Sequence, residues 1–222
     1  MLKIEETVTM SPAQLEIVIK GMRNPKNSWD RIDSYTTHIE DPDTHETADY
    51  AFFWGDKDMT LAENLVSGGP VHAKFRRMLV VWVTLDAPFY WWKEFDTYKV
   101  GTVANSCSTM HKIHSKEFVE EDFSFDQLTG TSKNLMFKLI DLLNECRQAF
   151  LETKNKLWWW QMIQTLPTSY NQKRTVMLNY EVLANMYKWR KNHKLDEWHT
   201  FCEWIETLPY AEELIIGGKE ES

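Results

Sequence analysis

The run HAKFRRMLVVWVTL, from His72 to Leu85, restricts the fold more than any other segment. Its β-branched and aromatic residues are typical of a buried strand, and Asp86-Ala87-Pro88 follows as a break. Helical patterns dominate the chain after it, most clearly from Ser132 to Thr153, where leucines recur at three- and four-residue spacing. Strands followed by long helices predict an α+β fold, a single domain with a central mixed or antiparallel sheet.

Local signals place the other elements. Ser11-Pro12 begins a short helix through Met22, because Ser is a good N-cap and Pro suits the first helical position. Further helices are predicted over Thr60–Ser67, Thr175–Asn192 and Asp196–Thr207. Another helix is predicted to end at Leu166-Pro167. The acidic, turn-rich segment Asp33–Asp49 is predicted to be a loop. One domain over residues 1–222 is expected, with a variable part at 1–60 and a flexible tail at 217–222.

Length and charge exclude several classes of protein. A chain of 222 residues can bury a core without disulfides or metals. The net charge of −8 argues against direct DNA or RNA binding, which needs Lys and Arg to neutralise phosphates. The longest apolar run, Met78–Val83, is far short of the roughly 20 residues that cross a bilayer, and no signal peptide is expected. The three scattered cysteines predict a reduced, cytoplasmic protein, with Cys107 a small packed side chain.

Eleven tryptophans are the outlier in composition. They cluster at Trp91-Trp92, at Trp158-Trp159-Trp160 and at Trp189, Trp198 and Trp204. The favoured interpretation is packing in the core and between subunits, because each ring can bury about 150–250 Å². The alternative is a stacking wall for a flat ligand.

Motifs for common chemistry are absent from the sequence, including phosphate-binding loops, the dinucleotide fingerprint, the nucleophile elbow and the zinc-protease motif. Asp41, Asp43 and His45 satisfy no metal-ligand spacing. His111 and His114 have no third ligand nearby in the sequence. No metal site is therefore expected.

Two segments carry residues that suit a polar ligand. Asp96–His111 is dense in small hydroxyls and amides and contains one glycine. In the predicted helix Thr175–Asn192, Asn179 and Arg190 fall about 20° apart on one stripe, roughly 16 Å apart along the axis. Asn185 points about 120° away, so all three meet one ligand only if several chain segments or subunits surround it.

Together these segments resemble the flavin-dependent thymidylate synthases. The family hallmark is Arg-His-Arg, two residues, Ser, one residue, Asn, two residues, Ser, one residue, Arg. On this chain it falls on Tyr98-Lys99-Val100, Val103, Asn105, Ser108 and Met110. The amide and the second serine match, and Lys99 stands where His is expected.

The downstream spacing matches better. In the family a Leu-Pro is followed twelve residues later by Asn, then by a second Asn after six and by Arg after five. Pro167, Asn179, Asn185 and Arg190 fit this spacing without a gap. The family's Gly-His segment before a strand is similar to Gly69–His72. The resemblance covers roughly residues 61–208, and such diverged copies resemble small proteins of bacterial viruses and prophages.

The resemblance implies roles for individual residues. A flavin, which is FAD in the family, would be held by His72, Asn179 and Asn185. A uracil-type nucleotide would be bound by Lys99, Asn105, Ser106, Ser108 and Arg190. The family also implies a homotetramer whose pockets lie between subunits.

The departures concern the family's arginines. Ile163 replaces the arginine four residues before the family's Pro, Glu181 replaces the one two residues after Asn179, and Arg77-Met78 stands about where the family has Glu-His. A phosphate dianion needs several charge-assisted donors, so ordinary thymidylate synthesis is not expected. We therefore predict a protein that binds a nucleotide or a flavin without making thymidylate. The alternatives are a flavin-dependent one-carbon transferase or reductase on a pyrimidine nucleotide, and a non-catalytic interaction protein.

Overall fold

A computed structural model describes residues 1–40, 43 and 47–217. In chain order its elements are β1 (Lys3–Val8), α1 (Pro12–Arg23), β2 (Tyr35–Glu40), β3 (Thr47–Phe53), α2 (Asp56–Ser67), β4 (Val80–Pro88), α3 (Phe89–Phe95), β5 (Thr102–Ser106), α4 (Gly130–Thr153), α5 (Lys156–Thr165), β6 (Asn171–Asn179), α6 (Tyr180–Arg190) and α7 (Asp196–Glu206). Short 3-10 turns cover Asn24–Lys26, Trp29–Arg31, Lys74–Arg77 and Glu120–Asp122. This is the α+β architecture that the sequence predicts.

The main sheet has four strands in the order β1-β4-β6-β5, and every neighbouring pair is antiparallel. β4 and β6 pair over their whole length, from Val80 opposite Asn179 to Pro88 opposite Asn171. β5 lies on the other side of β6, with Thr102 opposite Leu178. β2 and β3 form a separate antiparallel hairpin.

One face of the main sheet forms the core with the helices. Val81, Val83 and Leu85 of β4, with Val176 and Leu178 of β6, are at most 1% exposed and belong to the main apolar cluster. The residues between them along each strand are more exposed, because successive side chains of a strand point to opposite faces. The sheet therefore has one packed face and one more open face.

Tryptophan packing dominates the core, as predicted. The rings of Trp92 and Trp198 each lie 4.9 Å from the ring of Trp91, and Phe201 lies 5.6 Å from it. Trp91, Trp92 and Trp198 are at most 1% exposed. Other tryptophans are exposed, among them Trp158, Trp160 and Trp189.

The α4–α5 hairpin builds a second apolar cluster. Leu143 and Met162 are fully buried in it and pack with Phe118, Phe123 and Tyr170. Within the described residues, none of the helices combines the length and the apolar character needed to span a bilayer.

Several local predictions were wrong. Thr175 to Asn179, predicted as helix, belongs to β6, because strands on both sides pair with its backbone. The strand predicted from His72 begins only at Val80 and continues through Pro88. Asp86-Ala87-Pro88, predicted to break the strand, pairs with β6 as part of it. The loop predicted over Asp33–Asp49 contains β2 and the start of β3.

The remaining helices agree with the sequence within a few residues at each end. α2 begins at Asp56, one turn before the predicted Thr60. The residues predicted to fray at the end of the chain fall almost entirely outside the described residues, as do Asp41 and His45.

Candidate functional site

The carboxyl end of β6 and the start of β5 meet at Asn179 and Gly101. Gly101 has φ +82, and its carbonyl oxygen accepts a hydrogen bond from the Asn179 backbone N–H at 3.1 Å. A Cβ on Gly101 would lie 2.4 Å from Asn179 Nδ2, so only glycine allows this approach. The sequence singles out both residues, and the structure brings them into contact.

Asn179 is the N-cap of α6, where its Oδ1 accepts a hydrogen bond from the Val182 backbone N–H at 2.9 Å. It is therefore not on a helical stripe with Arg190, as the sequence predicts, but at the opposite end of the same helix. Within the described residues, Asn179 Nδ2 donates no hydrogen bond. This amide is a free donor beside a glycine turn.

Arg190, at the last position of α6, is held by the chain itself. Its Nη1 donates to Glu94 Oε2 at 2.7 Å, and its Nε donates to Tyr98 Oη at 2.9 Å. The guanidinium carbon lies 4.8 Å from the centre of the Trp198 ring. The side chain is 18% exposed, and two of its three nitrogens already donate to Tyr98 and Glu94.

Glu94 is the shared acceptor of this cluster. Its Oε2 also accepts from Trp198 Nε1 and lies 3.2 Å from His193 Nε2. The prediction of site residues missed Glu94, although a signal exists: it is the one acidic residue of the aromatic helix α3, FYWWKEF. A carboxylate in so apolar a segment indicates a partner brought from elsewhere in the fold.

The loop from Asp96 to Gly101 connects the two ends of α6. Tyr98 contacts Arg190 at one end, and Gly101 contacts Asn179 at the other. Lys99 is exposed between them. The structure therefore gathers Lys99, Asn179 and Arg190 along one helix and one loop.

The exposed edge strand β5 carries the predicted base-binding residues. Asn105 lies opposite Thr175 of β6, and Ser106 lies opposite Arg174. Adjacent residues of a strand point to opposite faces, so Asn105 and Ser106 do not line one surface of one ligand. Ser108 follows the strand, and its Oγ accepts from the His111 backbone N–H at 3.0 Å.

Two further arginines, Arg76 and Arg77, already bond to other residues of the chain. Arg77 forms a two-pronged ion pair with Glu181, one bond being Nη2 to Oε1 at 3.0 Å. Arg77 and Glu181 both replace residues of the family's pattern, and their opposite charges neutralise each other here. Arg76 is 8% exposed and donates to the Leu214 carbonyl at 3.0 Å, and its burial lowers its pKa.

The other predicted site residues lie on the surface. His72 follows α2 and is exposed, and so is Asn185 in the middle of α6. Neither of the two described cavities is lined by any of the eight predicted residues.

Cys107 and the residue types that ligate metals complete the description of the predicted residues. Cys107 is exposed, so the prediction of a packed side chain was wrong; it follows the edge strand, where no helix covers it. Of the residues that the structure describes, no three from His, Cys, Asp and Glu are grouped as metal ligands would be.

No family model matches the sequence, and no curated protein matches it either. Solved structures do match. Thymidylate synthase X from Helicobacter pylori, with FAD and dUMP, is similar over 99% of both chains, with a TM-score of 0.65 and 15% identity. A second structure of that enzyme, also complexed with FAD and dUMP, is similar over 96% of both chains, with a TM-score of 0.62 and 14% identity.

A third structure is similar over 98% of this chain and 92% of its own, with a TM-score of 0.58 and 12% identity. It is the UMP/dUMP methylase PolB from Streptomyces cacaoi, bound with 5-Br dUMP. At such low identities the likeness concerns the backbone. The chain therefore has the fold of the flavin-dependent thymidylate synthases over nearly its whole length.

Proposed function

We propose that this protein binds a pyrimidine nucleotide, a flavin or both in a pocket formed between copies of the chain, and does not make thymidylate. The observation that carries the proposal is the contact of one loop with both ends of α6. In that loop, Tyr98 contacts Arg190 at one end of α6, and Gly101 contacts Asn179 at the other end. The resemblance assigns nucleotide binding to the arginine and flavin binding to the asparagine, and the fold is that of proteins solved with FAD and dUMP.

The residues present fit a flavin at the Asn179 end of α6. Asn179 offers an unpaired amide donor, and Asn185 offers an exposed amide on the same helix. Amide groups of this kind suit the carbonyl and ring-nitrogen atoms of an isoalloxazine. A bound flavin would supply hydride chemistry; Asn179 and Asn185 would orient it, and the resemblance adds His72 to this set.

The nucleotide would meet Arg190 and Lys99. Because Glu94 already neutralises Arg190, this arginine is a weaker partner for a phosphate dianion than an unpaired guanidinium would be. Lys99 is exposed, has no ion-pair partner in the described part of the chain and offers a free cation to a phosphate. Arg77 is paired with Glu181, and Ile163 supplies no charge. This small number of free cations is the reason we exclude ordinary thymidylate synthesis.

Exposure of the site residues supports a pocket between subunits, in a homotetramer as the resemblance implies. His72, Asn105 and Asn185 lie open on one chain, as do the apolar rings of Trp158 and Trp160. A second copy would cover these apolar rings and supply the missing walls, because exposed apolar surface is often an interface.

The test is mass spectrometry of the small molecules released when freshly purified protein is heat-denatured. We expect a pyrimidine nucleotide or a flavin in near-stoichiometric amount. Arg190→Ala should lower the nucleotide content, whereas Lys188→Ala, an exposed change on the same helix, should leave it unchanged. Release of neither ligand, together with a monomer by light scattering, would leave the interaction-protein hypothesis as the better explanation.

A second candidate, a flavin-dependent one-carbon transferase or reductase on a pyrimidine nucleotide, is favoured by the likeness to the UMP/dUMP methylase. It requires purified protein to be yellow, or to become so with added flavin. It also requires turnover that Arg190→Ala abolishes. Colourless protein that does not respond to flavin would exclude it.

A further inference from the structure

A cleft of about 740 Å³ lies between α2 and the two 3-10 turns that follow α1. It is lined by one side of α2, from Asp56 to Asn64, and by most of the turn residues 26–31. None of the eight residues assigned to flavin or nucleotide lines it. Its volume is that of typical small-molecule sites, which occupy about 300–1,000 Å³.

Three free cations surround the cleft. Lys26, Arg31 and Lys57 line it, and in the part of the chain that the structure describes none of them has an ion-pair partner. Two carboxylates, Asp30 and Asp56, line it as well. The lining therefore has a positive surplus in a chain whose net charge is −8.

Arg23 gives the independent sign of a ligand. It lines the cleft and is 4% exposed. Its Nε donates to Asp58, and its Nη1 lies 3.4 Å from Ser28 Oγ, but its Nη2 is buried with no hydrogen-bond partner among the described residues. A buried guanidinium donor without an acceptor indicates an ion, a water or a ligand group that the protein alone does not provide.

We propose that this cleft is a second binding site, which takes a small phosphorylated compound with free hydroxyl groups. The phosphate oxygens accept hydrogen bonds from Lys26, Arg31 and Lys57, and a small rotation of the Arg23 side chain brings Nη2, which has almost no solvent-accessible surface in this structure, to the same group. Asp30 and Asp56 accept hydrogen bonds from the hydroxyls. Charge-assisted bonds of this kind are the strong ones in phosphate recognition.

The experiment is calorimetric titration of the full chain with ribose 5-phosphate and, separately, with ribose, at one fixed ionic strength. Lys26→Gln/Lys57→Gln removes two exposed cations of the cleft. Lys133→Gln/Lys138→Gln removes two exposed cations from α4 and serves as the control. Each lost charge-assisted bond weakens binding about tenfold.

We expect saturable binding of ribose 5-phosphate that the cleft variant weakens at least about tenfold and the control variant leaves unchanged. Arg190→Ala should also leave it unchanged, which separates this site from the nucleotide pocket proposed above. The proposal is overturned if there is no saturable binding at millimolar concentrations, if ribose binds equally well, or if the cleft and control variants behave alike. It is also overturned if Arg190→Ala abolishes binding, because the probe then occupies the other site.

Discussion

Replacing Asp58 with asparagine tests how the fold holds a buried charge. The Asp58 side chain is fully buried and pairs with Arg23, which is 4% exposed. Its second oxygen, Oδ2, accepts from the backbone N–H groups of Asp33 and Ser34 at 3.0 and 2.9 Å, and from Ser34 Oγ at 2.7 Å. This carboxylate therefore joins α1, α2 and the segment that leads into β2.

Asparagine has nearly the same shape but only one oxygen. If that oxygen keeps the three hydrogen bonds from Asp33 and Ser34, the amide nitrogen faces Arg23 Nε, and two donors oppose each other. The guanidinium then stays charged and buried without its carboxylate. Removing one partner of a buried ion pair costs about 3–5 kcal/mol. A domain is stable by about 5–15 kcal/mol in total, so the loss should be a large fraction of it.

Urea unfolding, followed by tryptophan fluorescence, measures this cost as a lower midpoint at unchanged slope. Asp141→Asn, an exposed change on α4, is the matched control and should alter the free energy of unfolding by less than about 0.5 kcal/mol. Equal stability of the two variants would refute the assignment of Asp58 as the acceptor of a buried charge.

The pH dependence gives a second check on Asp58. Burial alone would raise the pKa of this carboxyl, but the hydrogen bonds from Ser34, Arg23 and Asp33 outweigh it, so the pKa is lowered. A carboxyl with a lowered folded-state pKa stabilises the protein above its unfolded pKa, and this contribution is lost as pH falls through the folded value. The difference between wild type and Asp58→Asn should therefore be constant from pH 7 to about 5 and shrink below about pH 4.

Two further outcomes are expected. Gly101→Ala should lower the free energy of unfolding by about 1–3 kcal/mol, because φ is +82 and the new Cβ would lie 2.4 Å from Asn179 Nδ2. Unchanged stability in urea unfolding would contradict this close contact. A thiol reagent should modify only Cys107 in native protein and all three cysteines in denaturant. Cys146 and Cys202 are buried, and burial raises the pKa of both, that of Cys202 to about 12; fast native reaction of more than one thiol would contradict this.

The amino-acid sequence determined the elements that depend on local signals. Ser11-Pro12 begins α1, α2 ends at Ser67, and the leucine spacing after Ser132 belongs to α4, all as predicted. The resemblance in spacing from Pro167 through Asn179 to Arg190 also predicted the fold, which this chain shares with structures that are 12–15% identical to it. These features are readable because capping, helical periodicity and motif spacing involve residues close together in the chain.

Tertiary structure decided the rest. Whether TVMLN becomes strand or helix depends on β4 and β5, which supply hydrogen-bond partners from far away in the sequence. The partner of Arg190 is Glu94, which lies 96 residues earlier. Arg77 and Glu181, which separately looked like losses of charge, form one ion pair across 104 residues. Local sequence patterns do not record such pairs, because only the folded sheet and its helices bring the partners within a few ångströms of each other.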